Sequence, residues 1–224
     1  VKAFKMAQAT DHWWEVRRGI PTSSSFDKII TAAKGDLSAQ ADDLIAELIG
    51  DIVMQTPNYF SSRGLVNTYA MQQGVETEPE ARRWYALEAN TDVAEVGFVM
   101  DDDFRFGCSP DGLIGFKVAD QPGGQFNGHE WYEATADAAL ELKCPLLKTQ
   151  ARYLMDGGLP KDYRPQVHGH LIVCGTAYGE FVSYAHGLTP LRIRVEADDY
   201  TAKVRKALDG FWEKFQTAKK KLLP

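Results

Sequence analysis

Ala138-Ala139-Leu140-Glu141-Leu142-Lys143, preceded by Ser109-Pro110-Asp111-Gly112, sets the architecture expected of this chain. The apolar lead-in predicts a strand over 138–144, and side chains alternate faces along a strand. Glu141 and Lys143 therefore point the same way, while Leu142 points into the core. The turn carrying Asp111 brings a second carboxylate to the same edge, and Gly112 after it is expected to let the backbone turn tightly beside the site. Two carboxylates and an ammonium on one strand edge suit a hard cation. That is the chemistry of metal-dependent phosphodiester hydrolysis.

Each piece alone is weak, since Ser-Pro-Asp-Gly is a common turn and Glu-Leu-Lys an ordinary solvated strand. Joined in this order they are specific. Mg²⁺ takes oxygen ligands, usually one or two carboxylates with waters and substrate phosphate. Asp111 and Glu141 supply the carboxylates, and the Leu142 carbonyl adds a third oxygen. Two cations about 4 Å apart both activate a water and stabilise a leaving oxygen. Lys143, protonated at neutral pH in its ordinary state, is a poor general base and suits positioning the water and stabilising developing charge.

Outward from this core, helical patterns dominate the first ninety residues. Ser38 is placed to cap a helix whose stripe is Leu44, Ile45, Leu48, Ile49, Ile52 and Val53. A second helix is expected from about Leu65 to Leu87, broken near Val75 to Glu78 by Gly74 and Pro79. Strands follow at 93–99, 104–107, 113–118 and 138–144, with Asp101-Asp102-Asp103 as a turn. The stretch 119–137, holding Pro122-Gly123-Gly124 and Asn127-Gly128, is expected to be a mobile loop. Helices at 146–155 and 162–173, strands at 178–186 and 191–195, and a closing amphipathic helix at 198–221 complete the chain. The expectation is a single α/β (α+β) domain over residues 1–224, with a central mixed sheet flanked by helices.

Composition is that of an ordinary soluble protein: 44% hydrophobic and 25% charged over 224 residues. No apolar run approaches the ~18 residues that span a bilayer, and Val1 to Asp11 lacks an export signal. Cys108, Cys144 and Cys174 form no Cys-x-x-Cys pair and fit reduced thiols in a cytoplasmic protein. A net charge of −6 argues against a general nucleic-acid coat. Acids cluster between Glu76 and Asp103, and bases between Lys203 and Lys221. A metal pocket with one polyanion-facing surface fits that asymmetry, and so does a solvated helical tail.

The combined pattern resembles the PD-(D/E)XK nuclease superfamily, and within it the phage lambda exonuclease family of viral recombinase-type alkaline exonucleases. Trp13-Trp14-Glu15-Val16-Arg17-Arg18-Gly19-Ile20-Pro21-Thr22-Ser23-Ser24 resembles that family's Trp-x-x-x-Arg-x-Gly-x-x-Thr-x-Ser signature. Gly74-Val75-Glu76-Thr77-Glu78-Pro79-Glu80-Ala81-Arg82 is similar to its Gly-x-x-x-Glu-x-x-Ala segment. Cys108 to Leu113 and Leu140 to Pro145 resemble its core, and Tyr163-Arg164-Pro165-Gln166-Val167 its Tyr-x-x-Gln-Val helix.

The resemblance implies a restriction-endonuclease-like core. Asp111, Glu141 and the Leu142 carbonyl would hold two Mg²⁺ ions, for which Mn²⁺ can substitute, with Glu78 a further carboxylate among the neighbouring Glu76 and Glu80. Lys143 would be the catalytic lysine. Gln166 would position substrate or water, with Tyr163 beside it. Arg17, with Arg18 as its competitor, and Ser24 would bind the 5′-terminal phosphate, since a guanidinium fork matches phosphate and Thr22, Ser23 or Ser24 opens a helix. His168 and His170 are read as structural or DNA-facing, because nitrogen suits Mg²⁺ poorly.

The implied activity is 5′-to-3′ digestion of linear double-stranded DNA, leaving 3′ overhangs for recombination by single-strand annealing. The implied partners are DNA ends, an annealing protein and two further copies in a homotrimeric ring, within a bacterial host and of phage or prophage origin. The alternatives are a DNA endonuclease or RecB-like nuclease on the same fold, or a non-catalytic DNA-binding module. One departure stands out: the Asp111–Glu141 separation is long for the family and fits a lengthened hairpin.

Overall fold

The computed structural model describes residues 1–54 and 69–224. Its centre is β9 (Ala138–Lys143), buried through Leu142. β9 pairs in parallel with β10 (Tyr178–Ser183) and antiparallel with β5 (Gly112–Ile114). β11 (Leu191–Glu196) and β2 (Val93–Ala94) form the edges of this five-stranded mixed sheet, in the order β11-β10-β9-β5-β2. A strand covered on both faces reads as a near-continuous apolar run, which is why Ala138-Ala139-Leu140 leads into the charged positions.

The two faces of β9 have different neighbours. Ala138, Leu140 and Leu142 pack with Ala81 and Tyr85 of α3 (Tyr69–Glu88). On the opposite face lies α5 (Arg164–Cys174), which returns the chain from β9 to β10 after α4 (Leu147–Asp156) and the 3-10 turn Lys161–Tyr163. α5 also packs against the 3-10 turn Ser23–Lys28 and against α6 (Asp199–Leu222). Asp198 caps α6 through a reciprocal bond pair with Thr201, and Val204, Leu208, Phe211 and Phe215 are its buried stripe, as the periodicity predicts. α2 (Ala41–Val53) contributes Leu44, Ile45, Leu48 and Ile49 to the same core.

A second, antiparallel sheet runs β4 (Gly107–Cys108), β3 (Phe98–Met100), β1 (Lys2–Phe4), β8 (His129–Thr135), β6 (Lys117–Val118), with β7 (Gly124–Phe126) also on β8. α1 (Asp11–Arg17) lies beside it, with Trp13 and Val16 packed on Phe4, Phe98 and Met100.

Several expectations are corrected. The stretch 119–137 is largely sheet: β7 and β8 form a hairpin turning at Asn127-Gly128, both with positive φ (48° and 81°), and β8 pairs with β1. Asn-Gly is the strongest short hairpin signal, so the lengthened-hairpin reading holds and the mobile loop does not. The strand expected at 113–118 splits at Gly115 between the two sheets, and that at 93–99 divides into β2 and β3. The turn falls at Asp101-Asp102-Asp103 as expected, closed by the Phe104 N–H on the Asp101 carbonyl at 3.1 Å, but of residues 104–107 only Gly107 pairs, as the first residue of β4.

α3 runs through Pro79 without a break. The carbonyl that the proline leaves unpaired belongs to Val75, which is 71% exposed, so water can satisfy it. The start proposed for this helix near Leu65 lies outside the described residues. Ser38 receives the Gln40 N–H from three residues ahead of α2, and Gln40 occupies the cap without a side-chain bond. Gly112 needs space rather than a turn: a Cβ there would lie 2.2 Å from Val93 Cγ1. Among the described residues, no helix is long and apolar enough to cross a membrane.

Candidate active site

Glu141 and Lys143 share a face of β9 and are ion-paired through Glu141 Oε1. Asp111 is tied to the same strand at two points. Its N–H donates to the Leu140 carbonyl at 3.0 Å, and its Oδ2 accepts the Leu142 N–H at 2.6 Å. A strand residue's N–H and C=O point to the same side. The Leu142 carbonyl therefore faces the edge where Asp111 sits, beyond the end of β5, which stops pairing at Gly112 opposite Leu140.

Glu78, on the face of α3 turned toward this edge, completes the carboxylate group. Burial first, and then the Asp111 charge, pushes its carboxyl up. Asp111 itself is pushed up to about 7, by burial and then by Glu141. Glu141 is raised by burial, against the pull of Lys143 and of a hydrogen bond from Gln166 on α5. Burial works against the Lys143 ammonium, but the Glu141 and Asp111 carboxylates outweigh it and hold its proton above the usual lysine range. Its Nζ also sits 4.9 Å over the Tyr163 ring, which stacks on Phe181.

These acids crowd a site whose cationic partners do not satisfy all of it. Glu141 Oε2 is buried with no hydrogen-bond partner. A donor set of carboxylates and a backbone carbonyl, with one buried oxygen left over, fits a divalent cation with a preference for oxygen.

A second polar group lies beside the first. The Arg17 guanidinium donates to Ser109 Oγ at 2.8 Å and to Thr22 Oγ1 at 3.4 Å, and rests on the Trp13 ring at 3.9 Å. Thr22 Oγ1 lies 3.1 Å from Ser24 Oγ, at the start of the 3-10 turn. Ser109 also receives the Trp13 indole N–H at 2.9 Å and donates to the Gly97 carbonyl at 2.8 Å. Arg18, by contrast, is exposed. The chain thus brings Arg17 and Ser24 together, and brings both within two residues of Asp111 through Ser109.

Two residues of the site, Ser109 and Arg82, had no role assigned from sequence, and a third, His170, was read only as structural or DNA-facing. Ser109 is the hinge between the two groups. Arg82 bonds the Asp111 carbonyl at 2.8 Å and pairs with Glu78 at 2.6 Å and Glu95 at 3.1 Å; its position four residues after Glu78 was the available signal. His170, four residues after Gln166, places Nδ1 3.5 Å from Glu141 Oε2. Burial and then Lys143 lower it to about 3, so it faces the site uncharged. His168 bonds Thr201 at 2.7 Å and holds α5 to α6.

The chain is similar to solved structures over nearly its whole length. The alkaline exonuclease LHK-Exo from Laribacter hongkongensis is 26% identical, with 95% of this chain and 96% of that one covered and a TM-score of 0.70. The same enzyme in complex with dAMP gives a TM-score of 0.72 at the same identity. A phage-related exonuclease from Haemophilus somnus 129PT, 11% identical with a TM-score of 0.55, shares the fold over 88% of this chain and 95% of that one. Comparison with curated protein sequences gives no significant match. The mixed sheet with its flanking helices is that of the PD-(D/E)XK-type alkaline exonucleases. Residues 12–177 match the model of the YqaJ-like viral recombinase domain, a span that holds every residue of both polar groups, and the chain belongs to that family.

Proposed function

We propose that this chain is a divalent-metal-dependent exonuclease that digests linear double-stranded DNA from the 5′ end, leaving 3′ overhangs for recombination by single-strand annealing. The observation that carries the reading is the junction of the two polar groups through Ser109. Two residues span at most about 7 Å, so an anchored terminal phosphate and the Asp111 site are within reach of one terminal nucleotide. Binding of dAMP by LHK-Exo supports a site that accepts a mononucleotide.

In this reading Asp111, Glu141, the Leu142 carbonyl and Glu78 would hold Mg²⁺, with two ions in the full site and Mn²⁺ able to replace it. The ions supply water acidification and charge neutralisation at the leaving oxygen. Lys143 keeps its proton and would set its ammonium against the charge developing on the phosphate. Gln166 orients the water or substrate from α5. Arg17 clamps the 5′-phosphate as a two-pronged donor while Ser24 and Thr22 add hydroxyls. Tyr163 bounds the site beside Lys143 and lines the path of the strand.

One nuclease domain spans residues 1–224, acting on DNA in the cytoplasm of a bacterial cell. Three copies closing a ring around DNA would hold the substrate by topology, where a net charge of −6 offers no general attraction to a polyanion. An annealing protein would take over the exposed strand. Linear duplex labelled at the 5′ end, with and without a terminal phosphate, tests the reading in Mg²⁺. Release of labelled mononucleotides, faster from phosphorylated ends and absent from closed circles, supports it. Cleavage of circles would point to an endonuclease instead. Light scattering on the purified protein tests the ring, and a monomer at working concentrations would refute that part.

A further inference from the structure

His12 and Glu15 lie one turn apart on α1, and His129 opens β8 directly after the Asn127-Gly128 turn. Glu15 Oε2 is 3.1 Å from His129 Nε2 and 4.0 Å from His12 Nδ1, and one ligand atom from each residue lies within 4.8 Å of the others. The two imidazoles meet edge to face at 5.3 Å. We propose that His12, Glu15 and His129 form a second metal site, selective for Zn²⁺ or a similar transition ion and separate from the carboxylate site.

The ligand chemistry separates the two sites. Two imidazoles and one carboxylate suit a borderline ion such as Zn²⁺, whereas Mg²⁺ favours the all-oxygen set around Asp111. A tetrahedral ion at ~2.0–2.1 Å from its ligands sets them about 3.3 Å apart. Glu15 and His129 already stand near that separation. His12 is exposed on the first turn of its helix, free to close the remaining gap by a side-chain rotation. A cleft of about 460 Å³ lined by Lys5, Thr10, Glu130 and Tyr132 opens beside the three residues. It leaves room for a water as fourth ligand.

The site would also act mechanically. Asn127 already directs its amide at the carbonyls of Val16 and Glu15, at 3.2 and 3.4 Å. An ion held by His12, Glu15 and His129 would clamp the β7–β8 hairpin to α1, two residues before Arg17. The insertion that lengthens the Asp111–Glu141 interval then serves as a metal-locked brace for the Arg17 group, whatever reaction that group serves.

Calorimetric titration of the full, tag-free chain with Zn²⁺ in excess Mg²⁺ tests this, with Co²⁺ absorption as a spectroscopic probe. The expected result is one Zn²⁺ per chain, Co²⁺ bands of a four-coordinate nitrogen–oxygen site, and a Zn²⁺-dependent rise in Tm. His12→Gln and His129→Gln each weaken binding at least about tenfold, while Asp111→Asn keeps the ion. Because His12 is exposed, His12→Gln decides the matter even if His129→Gln folds poorly. Undiminished affinity in His12→Gln, loss of the ion in Asp111→Asn, or no binding in excess Mg²⁺ would each overturn the proposal.

Discussion

Lys143 is held on Glu141, and its charge is secured by two carboxylates rather than threatened by burial. In the proposed reaction it would therefore act as an electrostatic group and not as a base. Lys143→Ala is expected to lower kcat by about 10²–10³, the usual cost of losing one charge-stabilising donor, while Mg²⁺ still binds by calorimetry. Asp111 leads to a second prediction. With its carboxyl pushed up to about 7, the metal-free site carries a proton in mildly acidic solution that a cation must expel. Mg²⁺ affinity should rise with pH up to about 7 and then level. Below that point, binding heats in buffers of different ionisation enthalpy should report proton release. A flat affinity across neutral pH would contradict the geometry around Asp111.

Helix α5 and the β7–β8 hairpin show how elements deliver these residues. Gly169 lets α5 approach the 3-10 turn that carries Ser24; a Cβ there would lie 2.5 Å from Phe26 Cδ2 and 3.1 Å from Ser23 Cβ. Gly169→Ala should destabilise the chain by about 1–3 kcal/mol through overpacking, read as a lower urea midpoint at unchanged m. It should also shift the Ser24 hydroxyl away from Arg17, weakening preference for phosphorylated ends. On the other side, the Asn127 amide meets carbonyls at the end of α1 that the helix leaves unpaired. Asn127→Ala removes those bonds from a residue with positive φ, at a cost of about 1 kcal/mol, and should raise KM for 5′-phosphorylated DNA more than it lowers kcat.

Across the whole molecule, burial of His170 beside the carboxylates couples the site to acid stability. His170 is lowered to about 3 from 6.5, so its contribution is present above pH 6.5 and is lost as pH falls toward 3. Asp111 runs the other way. Raised to about 7 from 3.8, it favours the metal-free fold at low pH and withdraws that support as pH rises through about 7. Thermal melts in chelator should thus vary little with pH on account of this pair. In His170→Gln, where Asp111 and the likewise raised Glu78 and Glu141 act unopposed by His170, the metal-free Tm should fall as pH rises toward 7. A Tm that rises over that interval would show that His170 does not oppose Asp111.

Much of this was legible in the chain itself. Glu141, Leu142 and Lys143 announce their faces through the period of two, and Asp111 through its turn, because local geometry dictates both. α6, with its cap at Asp198 and four-residue apolar spacing, could be read for the same reason. The hairpin turn at Asn127-Gly128 was visible too, but its destination was not: β8 joins a second sheet by pairing with β1, more than a hundred residues away, and no local signal encodes a partner at that distance. Nor could sequence say that α3 continues through Pro79, since that depends on where water reaches the freed carbonyl. Sequence alone determined which residues are proposed to carry the chemistry, because side-chain type and spacing limit what a cation or phosphate can use. Only the tertiary structure decided that Ser109 joins Arg17 to Asp111 and that His129 meets His12 and Glu15, because those contacts arise from how the sheets close.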